Sequence, residues 1–246
     1  MFNRKQYKSF AKKQLKGRWG IPVICTIIIL AVEFIFQLPS IIKTAQSEEL
    51  WYILNQSTIT IDDIESIQIL LNNSTSLLVT IIQSLVSVIF EVAALNVILK
   101  MSLSPEPITF SLFLTGLNNW ARACFAFLWR TLWLFLWTIL TFPLLGIPAI
   151  IKTISYSQLM YLIAEHKELS IPKALKISMV ITKGHKWELF VMDLSFLGWI
   201  ILASIPAGLG FIVLQPYMNM SYVNAYHSML QEALDSGIIK PEDLTE

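Results

Sequence analysis

Four ionisable residues lie inside long apolar runs of the sequence. In such a run the charged form of a side chain would be removed from water. These residues are Glu33, Glu91, Arg130 and Asp193. One such side chain at the centre of a membrane-spanning helix costs about 2.5–3.5 kcal/mol on insertion scales, so each invites a compensating interaction or a functional role. Carboxylates and a guanidinium in this setting can form ion pairs, carry protons or line a path for a charged solute.

Glu91 and Arg130 occupy matching positions relative to nearby basic residues. Glu91 precedes Lys100 by nine residues, and Arg130 follows Arg122 by eight. Both side chains are expected about 12–14 Å from the same membrane face, because a helix rises about 1.5 Å per residue. If the short loop between their helices makes those helices neighbours, the two residues form an ion pair that fixes helix register. A substrate or proton path is the alternative.

Glu33 and Asp193 each leave two interpretations open. Glu33 has no obvious partner at its depth, so it is either structural or a carboxyl that burial keeps protonated. Asp193, with Ser195 close by, either contributes to a headgroup or pore site or serves helix packing and capping. A polar stripe farther along is predicted to hydrogen-bond across helices or to line a wet cavity. Its members are Asn219, Tyr222, Asn224, Tyr226 and His227.

The composition predicts an all-α, polytopic membrane helix bundle. Of the 246 residues, 55% are hydrophobic and 14% are charged, whereas about 25% are charged in an ordinary soluble domain. The net charge of +1 provides no global field that would attract nucleic acid.

The apolar runs predict six transmembrane helices with both termini in the cytoplasm. A spanning helix needs roughly 20 mostly apolar residues. We expect a polar outside loop over residues 43–76, in which Thr60 and Asp63 begin a short helix, and an acidic, loose tail over 235–246. Pro216 is expected to start the sixth helix. The predicted spans are about 20–42, 77–97, 123–146, 149–164, 189–214 and 216–234.

Two basic segments are predicted to contact anionic lipid headgroups. The first nineteen residues carry seven of the eighteen Lys and Arg residues and no acid, which favours a cytoplasmic N-terminus and a basic helix on the membrane surface. A topology signal alone is the alternative. The second segment, 170–184, forms an amphipathic helix expected to lie flat on the membrane. Its candidate headgroup contacts are Lys173, Lys176 and Lys183.

Catalytic and metal-binding motifs are absent from the sequence. Cys25 and Cys124 lie in apolar runs without CxxC or Cys/His spacing, and the three histidines lack the HExxH spacing. Neither a GxSxG elbow nor a GxxxxGK[ST] loop occurs. We therefore expect no enzymatic activity, no cofactor and no metal site.

A set of spaced residues in the second half of the chain, together with LKGRW at 15–19, carries a family resemblance. The residues are Lys183-Gly184, Phe190, the run Leu194-Ser195-Phe196-Leu197-Gly198-Trp199, Gly208, Gly210, Pro216-Tyr217 and Tyr226. This pattern resembles an uncharacterised bacterial multi-pass membrane family, domain of unknown function 975. The resemblance covers roughly residues 171–226 and implies location in the bacterial cytoplasmic membrane. The layout is also distantly similar to the membrane region of some glycerophosphodiester phosphodiesterases, which implies lipid-related work.

Two hypotheses of function follow. The first is a non-enzymatic accessory protein of the envelope that acts through membrane lipids, a protein partner or a second copy of the chain. The alternative is a small transporter or lipid flippase-like carrier, whose path is lined by Glu33, Glu91, Arg130 and Asp193.

Overall fold

A computed structural model describes residues 2–56, 58, 60–72, 76–142 and 146–245. Every long element in the described residues is a helix, in agreement with the predicted all-α class. The chain divides into two compact units, one of Met1–Ile27 with Val88–Glu246 and one of Ile28–Ser87. The α-helices are α1 (Arg4–Leu15), α2 (Gly20–Ala45), α3 (Glu48–Leu54), α4 (Ile61–Asn72), α5 (Leu77–Leu103), α6 (Ser111–Leu117), α7 (Trp120–Leu140), α8 (Ile147–Ser155), α9 (Leu159–Glu165), α10 (Ile171–Ile181), α11 (Lys186–Ser204) and α12 (Phe211–Asp235).

Five helical stretches in the described residues are long and apolar enough to cross a membrane. They are α2, α5, α7, α11 and the stretch Ile147–Glu165, which contains α8 and α9. A sixth span remains a prediction, because polar residues lower the mean hydropathy of α12. Large apolar side chains stay exposed along the candidate spans, as lipid contact requires. Examples are Phe135, Ile139, Leu197 and Ile201.

Connections between helices of the larger unit contain left-handed backbone positions. Gly146 has φ 68° directly before α8. Ala207 (φ 50°) and Gly208 (φ 81°) lie in the turn between α11 and α12, so this turn ends the fifth predicted span at Ser204 instead of letting it continue to residue 214. Pro216 lies inside α12, which begins at Phe211, because the turn before it already starts the helix.

Helix α1 packs lengthwise on α12. Its apolar side, Tyr7, Ala11 and Leu15, is buried, and the Tyr7 hydroxyl lies 2.8 Å from Ser228 Oγ. Asn224 donates to Gln14 Oε1 at 2.8 Å. The apolar side of this basic helix therefore packs on protein, and Lys5, Lys12 and Lys13 are exposed on its outward face.

Helix α10 packs its apolar side on protein. Ile171, Ala174 and Leu175 are buried in a core shared with α7, α9 and α12. Ser178 Oγ donates to Ser155 O at 2.8 Å and fixes α10 against the end of α8. Protein covers most of the apolar stripe, and Met179 is half-buried. The flat orientation on a membrane stays a prediction.

The C-terminal tail is packed, contrary to the expectation of a loose segment. Pro241–Leu244 form a 3₁₀ helix, and Ile239 and Leu244 are buried. Asp243 lies 3.5 Å from Lys173 Nζ on α10. Hydrogen bonding from the Lys240 backbone, together with nearby Lys173, lowers the pKa of Asp243.

The smaller unit contains the predicted short helix, α4, with its expected cap. Asp63 Oδ2 accepts from Thr60 N at 2.8 Å and from Thr60 Oγ1 at 2.7 Å, while Asp63 N donates to Thr60 Oγ1 at 3.3 Å. Such reciprocal bonds satisfy backbone donors at a helix start. Ile61 and Ile64, in the first turn of α4, are exposed.

Candidate functional site

Three of the four predicted intramembrane charges meet around Tyr161 in the larger unit. Arg130, on α7, interacts electrostatically with Glu91 on α5 and with Tyr161 on α9. Tyr161 also interacts with Asp193 on α11. Four helices distant in sequence therefore contribute to one charged cluster.

Glu33 belongs to a different part of the chain. It lies half-buried on the portion of α2 that falls in the smaller unit. The cluster around Tyr161 is built from the larger unit, and Glu33 contributes to neither of the two pockets described below.

Asp193 is held by α12. The Tyr222 hydroxyl donates a short hydrogen bond to Asp193 Oδ1, and both side chains line a pocket of about 210 Å³. Phe196, one turn along α11, packs beside the Tyr222 ring at a centroid distance of 5.7 Å. The Asp193–Tyr222 bond therefore joins α11 to α12 at the wall of the pocket. The full lining is Thr153, Ile154, Ser157, Gln158, Tyr161, Leu189, Asp193 and Tyr222.

Gln158 supplies the most buried polar group of this pocket. It lies in the break between α8 and α9 and is 2% exposed. Its Nε2 donates to Ser157 Oγ at 2.7 Å, whereas its Oε1 has no hydrogen-bond partner among the described residues. A buried amide oxygen without a partner costs free energy unless a ligand or water supplies a donor.

The polar stripe of α12 bonds across helices, as predicted for it. Tyr222 contacts Asp193, Asn224 contacts Gln14, and Tyr226 donates to Glu165 Oε2 at 2.7 Å. His227 Nε2 lies 3.3 Å from Glu165 Oε1.

Glu165 lies at the centre of a second polar cluster that sequence reasoning missed. His166 Nε2 lies 3.7 Å from Glu165 Oε2, so Glu165 is flanked by two histidines and Tyr226. Burial lowers the pKa of His166, against the opposing effect of Glu165. Glu165 stands at the end of an apolar run, where a carboxylate has no unusual sequence context, so no sequence pattern singled it out.

The three lysines predicted to contact headgroups have different environments. Lys173 is half-buried and faces Asp243. Lys176 and Lys183 are exposed. The structure thus leaves two of the three available to a membrane surface.

A second, almost wholly apolar pocket lies where α1, α11 and α12 meet. It has a volume of about 340 Å³, and Lys12 is the charged residue of its lining. The Lys12 ammonium lies 5.7 Å from the centre of the Tyr217 ring. The remaining lining residues are Trp19, Trp199, Leu202, Ala203, Gly210, Val213, Leu214 and Tyr217.

The fold and these pockets define a helical protein whose described part contains five helical stretches suited to crossing a membrane. The family model "Protein of unknown function (DUF975)" matches residues 1–233, and the chain belongs to this family. The match extends the resemblance from the C-terminal half and LKGRW to nearly the whole chain, including the polar region after the first span. No curated protein and no solved structure matches.

Proposed function

We propose that this protein is a non-enzymatic, lipid-associated accessory protein of the bacterial cytoplasmic membrane, and that the apolar pocket between α1, α11 and α12 holds an anionic phospholipid. The observation that carries the proposal is Lys12 at the wall of a pocket otherwise lined mainly by apolar and aromatic side chains. An acyl chain matches the apolar lining, and a phosphate matches the ammonium.

The surroundings of the pocket fit a lipid headgroup. Lys13 and Lys16 are exposed close to Lys12 on the same basic segment. Each basic residue near an anionic membrane surface contributes about 1 kcal/mol to attraction. Trp19 and Trp199 line the pocket, and tryptophan is favoured at the membrane–water interface. The layout resembling the membrane region of glycerophosphodiester phosphodiesterases also favours lipid-related work.

Native mass spectrometry in nanodiscs tests this proposal. Phosphatidylglycerol should be retained over phosphatidylcholine by the wild type, and the preference should fall in Lys12→Gln. Val213→Trp should lower retention of both lipids, because the indole fills the apolar pocket. Lys167→Gln serves as the control, since Lys167 is exposed between α9 and α10 and does not line this pocket. Equal retention of phosphatidylglycerol by wild type, Lys12→Gln and Val213→Trp would contradict the proposal.

The carrier hypothesis is favoured by a separate observation, the convergence of Glu91, Arg130 and Asp193 around Tyr161. In this second candidate function the cluster lines the path of a lipid headgroup. Proteoliposomes with a fluorescent phospholipid should then show transbilayer movement that Glu91→Gln abolishes while membrane yield and thermal stability persist. Undiminished movement in Glu91→Gln would remove Glu91 from the path.

A further inference from the structure

The polar pocket beside Tyr161 offers acceptors to a ligand. Thr153 Oγ1 donates to Ala149 O at 3.1 Å, and Ser157 Oγ donates to Ile154 O at 2.8 Å. The Tyr222 hydroxyl donates to Asp193. These three hydroxyl hydrogens are engaged within the protein, so toward a ligand the hydroxyl oxygens can only accept. Ser157 Oγ already accepts one bond, from Gln158 Nε2.

Two further groups of the pocket, an amide oxygen and a carboxylate, are stronger hydrogen-bond acceptors than these hydroxyl oxygens. Gln158 Oε1 is buried and lacks a partner among the described residues. Asp193 receives one bond at Oδ1 from Tyr222, whereas a carboxylate accepts up to about four. A ligand that satisfies both groups must carry several donor hydrogens in a small volume.

The charge of the pocket lining leaves a place for one positive charge. Asp193 is the charged residue among the described lining residues, and none of them is Lys or Arg. Asp193 is exposed on a candidate membrane span beside exposed Leu194. An unneutralised carboxylate is costly there, so a monovalent cation in the pocket would offset the cost.

The aromatic lining favours the same ligand. Tyr161 and Tyr222 supply two rings to a pocket of about 210 Å³. A cation near an aromatic face gains about 0.5–2 kcal/mol. The volume suits a small headgroup or amine and excludes a large solute.

We propose that this pocket binds a compact primary ammonium group, with Asp193 as counter-ion and Gln158 Oε1 as hydrogen-bond acceptor. The group is either the ethanolamine head of a phospholipid or a free small amine, since both present the same –NH₃⁺. This site is separate from the apolar pocket at Lys12 and does not depend on the lipid role proposed for that pocket.

The test uses the full-length protein in nanodiscs and two probes, phosphatidylethanolamine and ethanolamine hydrochloride, with choline as comparison. Wild type should bind at least one probe at least tenfold more tightly than its choline counterpart, because a quaternary ammonium has no N–H donors. Asp193→Asn should weaken that binding at least tenfold, and Gln158→Met at least threefold. Asp235→Asn, at the far end of α12, should bind as wild type does.

The outcomes separate the two sources of the ammonium group. Binding of the phospholipid alone assigns the lipid headgroup, and binding of ethanolamine that displaces the phospholipid assigns the amine itself. Equal binding of ethanolamine and choline headgroups by the wild type overturns the proposal, and so does binding of neither. Because the wild-type comparison needs no variant, a misfolded Asp193→Asn would leave the proposal testable. Lys12→Gln should leave ethanolamine binding unchanged. The proposed ammonium site at Asp193 and the proposed lipid site at Lys12 can therefore be contradicted independently.

Discussion

Gly210 packs directly against Ala203, where the turn between α11 and α12 brings the two helices together. A Cβ atom built on Gly210 would lie 2.5 Å from Ala203 Cα and 2.8 Å from Ala203 Cβ. Backbone atoms form this contact, so a side chain cannot be accommodated by rotating a flexible group.

Gly210→Ala is therefore expected to destabilise the protein by about 1–3 kcal/mol, the usual cost of overpacking. Thermal unfolding in detergent measures the effect. Gly198→Ala is the matched control, because no atom lies within 4 Å of a Cβ at that position on α11. An unfolding midpoint for Gly210→Ala equal to that of Gly198→Ala would show that α11 and α12 separate at little cost.

Arg122 should stabilise the connection between α9 and α10. Its guanidinium donates to His166 O at 3.2 Å and to Leu169 O at 2.8 Å. Arg122→Gln leaves these partly buried carbonyls without a donor and should cost about 1–3 kcal/mol. Unfolding in detergent compared with Lys167→Gln, an exposed residue in the same connection, measures the loss. Equal stability of the two variants would mean that water replaces the guanidinium.

Lys8 should make stability depend on pH in the alkaline range. Its ammonium contacts Ser195 Oγ at 2.6 Å and lies 3.5 Å from the centre of the Phe196 ring. Burial, with Arg4 and Lys12 nearby, lowers the pKa of Lys8 from 10.5 to about 8. The folded protein therefore releases this proton before the unfolded chain does.

Unfolding free energy rises with pH wherever the unfolded chain binds more protons. The stability gained when Lys8 is neutral is thus fully present above pH 10.5 and is lost as the pH falls through about 8. Raising the pH from about 7 to about 9.5 should stabilise wild type relative to Lys8→Met, which has no titrating group at this position. If the unfolding free energies of the two proteins change equally with pH across this range, the lowered pKa of Lys8 is contradicted.

The hydrogen bond from the Tyr226 hydroxyl to Glu165 should stabilise the fold. Its ring is fully buried and stacks on Tyr161 at a centroid distance of 5.5 Å, and its hydroxyl lies 2.7 Å from Glu165 Oε2. Tyr226→Phe keeps the stacking and removes only the hydrogen bond to the carboxylate. We expect a loss of about 1–3 kcal/mol in unfolding free energy, with Tyr52→Phe, an exposed tyrosine on α3, as the control. A loss no larger than that of Tyr52→Phe would show that His227 alone satisfies the carboxylate.

Local patterns in the sequence predicted the helices and several of their contacts. Apolar runs predicted six spans, and five of them correspond to helical stretches suited to a membrane in the described residues. They could be predicted because helix length and side-chain transfer energies are properties of consecutive residues. The Thr60–Asp63 cap of α4 was predictable because its bonds join residues three apart. The cross-helix role of the α12 stripe followed from the cost of polar groups among apolar ones, although its partners did not.

The tertiary structure decided which of these elements meet. Gln158 and Tyr161 are ordinary residue types in an interrupted helix, and no spacing distinguishes them until α8, α9, α11 and α12 pack around one pocket. Likewise, amphipathic patterns on α1 and α10 indicate an apolar side but not whether lipid or protein covers it. Sequence alone determined a helical protein with stretches apolar enough to cross a membrane and a few charges within them. Packing placed three of those charges around Tyr161, because contacts between distant helices depend on the folded arrangement of the whole unit and not on any local run of residues.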